Sequence, residues 1–225
     1  MDNTMQLARK AMILLLSLAV IAGSVSCSNK QGDAASAHPT PGAEAAATVN
    51  TSEAAQETEQ EDDLYSAMEA YREILVNADK YDYGASSDTE ASGYRYALVH
   101  MYSGDTVPTL LIAQSTVLNI EYVRVFRYDT KTGTVNEPIL QDDSAALMQG
   151  EGSAGGFRGE IMLLNDGSGL CASQFYSGTG EGTMDRITAE GDTLTLTALW
   201  SGVITDAPDI AHSIDDWRDL SGGAV

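Results

Sequence analysis

The apolar and polar positions divide the chain into three regimes. From Ala11 to Ala22 the residues are apolar except for Ser17. From Ser28 to Asp62 the chain is mostly Ala, Ser, Thr, Gln, Glu, Gly and Pro, with Val49 its only larger aliphatic residue. Beyond Asp63 a periodic pattern begins. Leu64, Met68, Tyr71 and Leu75 recur at steps of four, three and four, with Ala67, Ile74 and Ala78 beside them, so one face of a helix is apolar. Glu61, Asp62 and Asp63 sit at its N-terminal end, where acidic groups meet the positive pole of the helix and Asp can cap it. Asn77 to Gly84 ends it.

After Gly93 the period shortens towards two. Strands are expected over Tyr94–Tyr102, Thr109–Ser115, Glu121–Tyr128 and Thr134–Ile139, then over Phe157–Leu164, Gly169–Tyr176, Thr183–Ala189 and Thr193–Trp200. Asn165 to Gly169 and Glu190-Gly191-Asp192 are hairpin turns. Short strands joined by tight turns imply antiparallel pairing, because parallel neighbours need long crossovers. The expected fold is therefore mainly β, with one N-terminal amphipathic helix. It has two four-stranded antiparallel meanders, arranged as a sandwich or as propeller-like blades. Gly93-Tyr94-Arg95 opens the first set and Gly156-Phe157-Arg158 the second, which suggests a duplicated unit joined by Gln141–Gly155. Ile210, Ile214, Trp217 and Leu220 suggest a short C-terminal helical segment that lays Trp217 on the sheet.

Charge changes the picture of partners. Asp and Glu number 33 against 12 Lys and Arg, a formal net charge of −21. Nucleic acid is excluded as a partner, since phosphates demand a basic patch. Electrostatic docking on anionic lipid is excluded for the same reason.

The first regime then acquires a meaning. Arg9 and Lys10 precede the apolar run, and Gly23-Ser24-Val25-Ser26-Cys27 follows it. A basic start, a short apolar core and small residues before a cut site are the parts of an export signal. The run falls short of the roughly 20 residues that cross a bilayer. Ser24-Val25-Ser26-Cys27 resembles the lipobox of bacterial lipoproteins, with Ser24 where that family usually carries Leu. The resemblance implies cleavage before Cys27, acylation of its sulfur by diacylglycerol and palmitate-type chains, and location on the extracytoplasmic face of the cell membrane. Residues 1–26 are then a signal peptide, residues 27–62 a lipidated cysteine and acidic linker, and residues 63–225 a β-rich extracytoplasmic domain. Thirty-five residues of coil reach roughly 30–35 Å end to end. Loss of Arg9, Lys10 and Asp2 leaves the mature chain at −22.

A second resemblance lies at the start of the β-region. Tyr96-Ala97-Leu98-Val99, then Pro108-Thr109-Leu110-Leu111, following the helix at Tyr71-Arg72-Glu73-Ile74-Leu75, is similar to a motif of secreted bacterial proteins reading Y-A-L-x-D-x-x-x-D-G-x-P-E-L. That motif resembles a blade of the FG-GAP or VCBS-type propeller repeats, whose aspartate loop can hold calcium. The match covers about residues 65–130, and the whole chain looks like lipoproteins of high-GC Gram-positive bacteria. Here His100 replaces the first Asp, Thr109 replaces Glu, and only Asp105 survives. Calcium takes six to eight oxygens. Any inherited metal site in Tyr102–Thr106 is expected to be lost, and the sequence calls for no metal and no cofactor.

Chemistry-bearing residues are sparse. Cys171 is the one cysteine left once Cys27 is acylated, and a thiol activated by His100 or His212 would be a nucleophile. Glu121 and Glu160 would be an acidic pair of the kind glycosidases use. No catalytic signature surrounds any of them. Arg95, Arg124, Arg127 and Arg158 concentrate positive charge in strands. Their ordinary role is cross-strand pairing with Asp and Glu, and the functional alternative is an anion clamp of Arg95, Arg124 and Arg158. The preferred function is a non-enzymatic binding or envelope accessory module, anchored to the membrane and meeting a protein, glycan or peptide. The alternative is a hydrolase-like or thiol-dependent enzyme.

Overall fold

The computed structural model describes residues 51–85, 90–140, 147–152 and 156–220. The expected signal peptide, Cys27 and most of the expected linker therefore lie outside the described residues. Helix α1 runs over Thr51–Val76, and a 3-10 turn follows at Ala78–Lys80. The strands are β1 (Ala91–Val99), β2 (Thr109–Thr116), β3 (Ile120–Asp129), β4 (Thr134–Asn136), β5 (Ile139–Leu140), β6 (Leu147–Glu151), β7 (Phe157–Leu164), β8 (Leu170–Tyr176), β9 (Glu181–Glu190), β10 (Thr193–Val203), β11 (Ala211–Ser213) and β12 (Arg218–Asp219).

The chain is mainly β with one long helix, but the strands do not divide into two four-stranded meanders. They form a single mixed sheet of 12 strands, whose path is β12-β1-β2-β3-β6-β7-β8-β9-β10-β5. The link that joins the two expected sets is β6, within the stretch expected to be a connection. It pairs with β3 from Ile120↔Gly150 to Val123↔Leu147, and with β7 at Gly150↔Gly159 and Glu151↔Arg158. Gly150 permits this close passage. Its φ is +104°, and a Cβ there would lie 2.2 Å from the Asn119 carbonyl oxygen.

The sheet curls until its two halves share one core. Ala97, Val99, Leu111, Ala113, Val123 and Val125 from β1–β3 pack with Ile161, Leu170, Ala172, Ile187 and Leu194 from β7–β10. Two short segments tie the halves together. Thr134–Leu140 pairs with β3 through β4 and, in parallel, with β10 through β5. The C-terminal strap pairs with β7 through β11 and with β1 through β12. Between its two strands, Ile214 is buried in the shared core and Trp217 packs against it. The strap is extended rather than helical. Pro208 and the acids at 215, 216 and 219 weaken helix formation, and two open strand edges offer its backbone partners.

Each outer face has its own cover. Helix α1 lays Ala67, Tyr71, Ile74 and Leu75 on Leu110, Ile112 and Phe126 of β2 and β3. Its start at Thr51 lies twelve residues before the expected one. The Ala, Glu and Gln of that stretch have high helix propensity, and a turn docked on a sheet nucleates those before it. On the other half, Ala211 and the partly buried Ile210 cover Leu164, Cys171 and Met184.

Candidate functional site

Alternation along β1 and β3 decides where the arginines go. Arg95 is in step with Ala97 and Val99, so it projects to the face that forms the shared core. Arg124 is in step with Tyr122 and Phe126, so it projects to the helix-covered face. The two guanidinium groups lie on opposite sides of the sheet, and one ligand cannot be gripped by both. Arg158, on β7, pairs with Glu151 at 3.4 Å and donates to the Phe157 carbonyl at 2.9 Å. The structure does not bring the three together.

Around Arg95 it builds something the sequence pattern did not reveal. Glu121, on β3, receives Arg95 Nε at 2.9 Å, Arg95 Nη2, and Gln149 Nε2 at 2.8 Å, all on Oε2, while Ser115 Oγ donates to Oε1 at 2.8 Å. The Gln149 amide oxygen in turn accepts the Ile161 N–H at 3.2 Å. Trp217 from the strap lies 4.7 Å from the Arg95 guanidinium. Five strands and the strap thus meet at one polar cluster beside the core. Gln149 is 3% exposed, so its partners are obligatory. Both oxygens of Glu121 are occupied by donors, which suits an organising anion better than a proton shuttle. Gln149 belongs to the expected connection, and no local signal marks it.

Arg124, Arg127 and Arg186 each meet a carboxylate as well. Arg124 pairs with Glu137 and lies 5.9 Å from the Tyr83 ring. Arg127 approaches Asp105 at 3.7 Å and Tyr102 at 5.1 Å, and Arg186 approaches Asp166 at 3.5 Å. Asp105, the surviving aspartate of the calcium-type loop, also accepts the Tyr102 N–H at 3.1 Å. Asp166 closes its hairpin by accepting the Ser168 N–H and hydroxyl, which hold its carboxyl below the usual range. Among the described residues, no three His, Cys, Asp or Glu side chains converge as a metal site.

The nucleophile and acid candidates are dispersed. Cys171 is fully buried, and burial, aided by the charge of Asp185, pushes its thiol up to about 11. His100 is exposed beyond β1, and exposed His212 hydrogen-bonds Asn165 at 2.8 Å. Glu160 is exposed on β7 opposite Ser173, while Glu121 is committed to Arg95. A shallow hollow of about 490 Å³ lies between the end of α1 and β4, lined in part by Glu73, Ile74, Lys80, Tyr81 and Val135.

Two tyrosines act on the backbone itself. Pro108 would face Tyr128 if the β2–β3 register continued, but Pro has no N–H to give. The buried Tyr71 hydroxyl fills the gap, donating to the Pro108 carbonyl at 2.8 Å and accepting the Tyr128 N–H at 2.9 Å. Tyr102 does the same at Ala189, donating to its carbonyl at 3.3 Å and accepting its N–H at 2.7 Å.

No protein-family model matches the chain, and no curated protein or solved structure matches it. Among the described residues, no helix is long and apolar enough to cross a membrane.

Proposed function

We propose that the chain is a lipid-anchored extracytoplasmic lipoprotein whose β-domain binds a partner rather than transforming a substrate. The carrying observation is Cys27, which ends an export-signal pattern and precedes an acidic, apolar-poor stretch. Two acyl chains on that sulfur would give stable anchoring where one gives marginal attachment. A net charge of −22 on the mature chain keeps the polypeptide off anionic lipid, so the acyl chains do the holding and residues 28–50 serve as the spacer.

Binding is favoured over catalysis by what the candidate groups are already doing. Arg95, Arg124, Arg127, Arg158 and Arg186 are matched to carboxylates, Glu121 accepts donors on both oxygens, and the Cys171 thiol is buried with its thiolate disfavoured. The ligand class is a protein, glycan or peptide of the cell envelope. The resemblance to an FG-GAP or VCBS-type blade belongs to this same proposal, over α1 and β1–β3.

Metabolic labelling with an alkynyl palmitate tests it. Label should enter the wild-type chain and be lost in Cys27→Ser, which should move from the membrane fraction to the aqueous phase. Recovery of the intact chain as a soluble cytosolic species, with Met1 in place, would overturn the proposal.

A further inference from the structure

The sheet manages its edges unevenly. β12 covers part of the β1 edge with Arg218 and Asp219, a short charged strand of the kind that discourages further pairing. β10 is different. One of its edges pairs with β9 along the strand, whereas among the described residues the other pairs only at Thr193 and Leu194, with β5. From Thr195 to Val203 that edge has no described partner.

Its composition is equally unguarded. Thr193 to Val203 reads Thr-Leu-Thr-Leu-Thr-Ala-Leu-Trp-Ser-Gly-Val, without a charge or a proline, in a chain of net charge −21. Thr195, Leu196, Thr197 and Ala198 are all exposed. Leu196 and Val203 on β10 and Ile139 on β5 are 41%, 49% and 54% exposed, three of the eight large apolar side chains exposed in the described structure. A register shift between Ala198 and Trp200 bends the strand, so pairing would be most regular over Thr195–Ala198.

The ends of the edge identify the occupant. Asp192 precedes the Thr193 end and Asp206 lies just beyond Val203, with Glu190 and Glu181 across β10 on the ends of β9, all of them exposed. A second copy laid antiparallel on β10 would bring these acidic ends against each other. An extended segment with basic ends would meet complementary charge at both. The geometry points to β10 as a strand-addition site for an extended peptide with an uncharged, β-branched centre and Lys or Arg at its ends. Main-chain hydrogen bonds would supply affinity, and the flanking carboxylates selectivity. The inference rests on the binding-module proposal and names the partner class.

The probe is a capped, dye-labelled octapeptide alternating Thr and Val between terminal lysines, titrated into the full-length chain. A control peptide carries glutamates at its ends. The lysine-ended peptide should bind at least about tenfold more tightly, and the gap should close as salt rises from about 50 to about 500 mM. Amide exchange should slow at Thr195–Ala198 on binding, and Leu196→Lys should weaken binding by about tenfold without altering the far-ultraviolet spectrum. Equal binding of both peptides, or protection confined to other strands, would overturn the site. So would a concentration-dependent dimer abolished by Leu196→Lys, which would give the edge to a second copy. Failure here with palmitate labelling of Cys27 intact removes the strand-addition site and leaves the anchor standing.

Discussion

The two outer faces of the sheet are covered in contrasting ways. On the β1–β3 half, α1 satisfies its own backbone hydrogen bonds, so it can spend Ala67, Tyr71, Ile74 and Leu75 on packing. Tyr71 reaches through that layer to complete the β2–β3 ladder. On the β7–β9 half the cover is an extended strap, which must find backbone partners as it goes and takes them from β7 and β1. A helix can cover a face anywhere its stripe fits. An extended segment can cover one only where strand edges are open. The helix-covered half should therefore be the more resistant, and the strap the first element to open.

The largest effects should fall on Tyr71. Tyr71→Ala should cost about 3–5 kcal/mol in chemical denaturation, for lost packing and a cavity under α1. Tyr71→Phe should still cost about 1–3 kcal/mol, because the buried Pro108 carbonyl and the half-buried Tyr128 N–H lose their partner. Tyr102→Phe removes the same kind of bridge at a partly buried site that water can reach, and its cost should be smaller. Equal costs would erase the distinction between the two halves.

Next comes the polar cluster that holds the strap to both halves. Glu121→Ala strands the donors of Arg95 and Gln149 and should cost about 2–4 kcal/mol, with Glu121→Gln milder. Trp217→Ala should cost about 1–3 kcal/mol, since it removes a partly buried ring and its contact with Arg95. Its signature is local: amides of β11 and β12 should exchange faster while those of α1 keep their protection. Loosening of α1 in that variant would contradict independent covers.

The mildest effect is one of pH and is silent at neutrality. Burial raises the Tyr71 hydroxyl from 10.0 to about 12, and burial raises Tyr83 further. Below pH 10 both the folded and unfolded tyrosines keep their protons, and the stability is fully present. Between pH 10 and 12 the unfolded chain loses protons that the folded chain retains, so stability should fall as pH rises. Tyr71→Phe should fall less steeply over that window. An identical slope would mean that Tyr71 is not what the helix-covered half loses at high pH.

Most long strands were legible in the chain. Phe157–Leu164 is found as expected, and Thr109–Ser115 and Glu121–Tyr128 each differ by a residue or two. Alternation and glycine turns are local properties, and local properties are written in order along a sequence. β6 was not legible, because Gln149-Gly150 has little strand preference of its own and becomes a strand by filling the edge of β3. The spacing of Ile210, Ile214 and Trp217 suits a helix, but the strap is extended, since open edges outweighed a weak periodicity. Arginine in strands was plain to see, whereas its division between two faces followed from register.

What the sequence determined alone is the one-dimensional part: a β-rich body, one amphipathic helix, a strong negative charge, and Cys27 behind an export-like run. What only the tertiary structure decided is which edges meet. The joining of the described strands into one curled sheet, the meeting of Glu121 with Arg95 and Gln149, and the edge of β10 left without a partner among the described residues depend on residues far apart in the chain. Periodicity records which side of a strand is apolar, but the neighbour on its edge is selected by the hydrogen bonds that the whole backbone must satisfy at once.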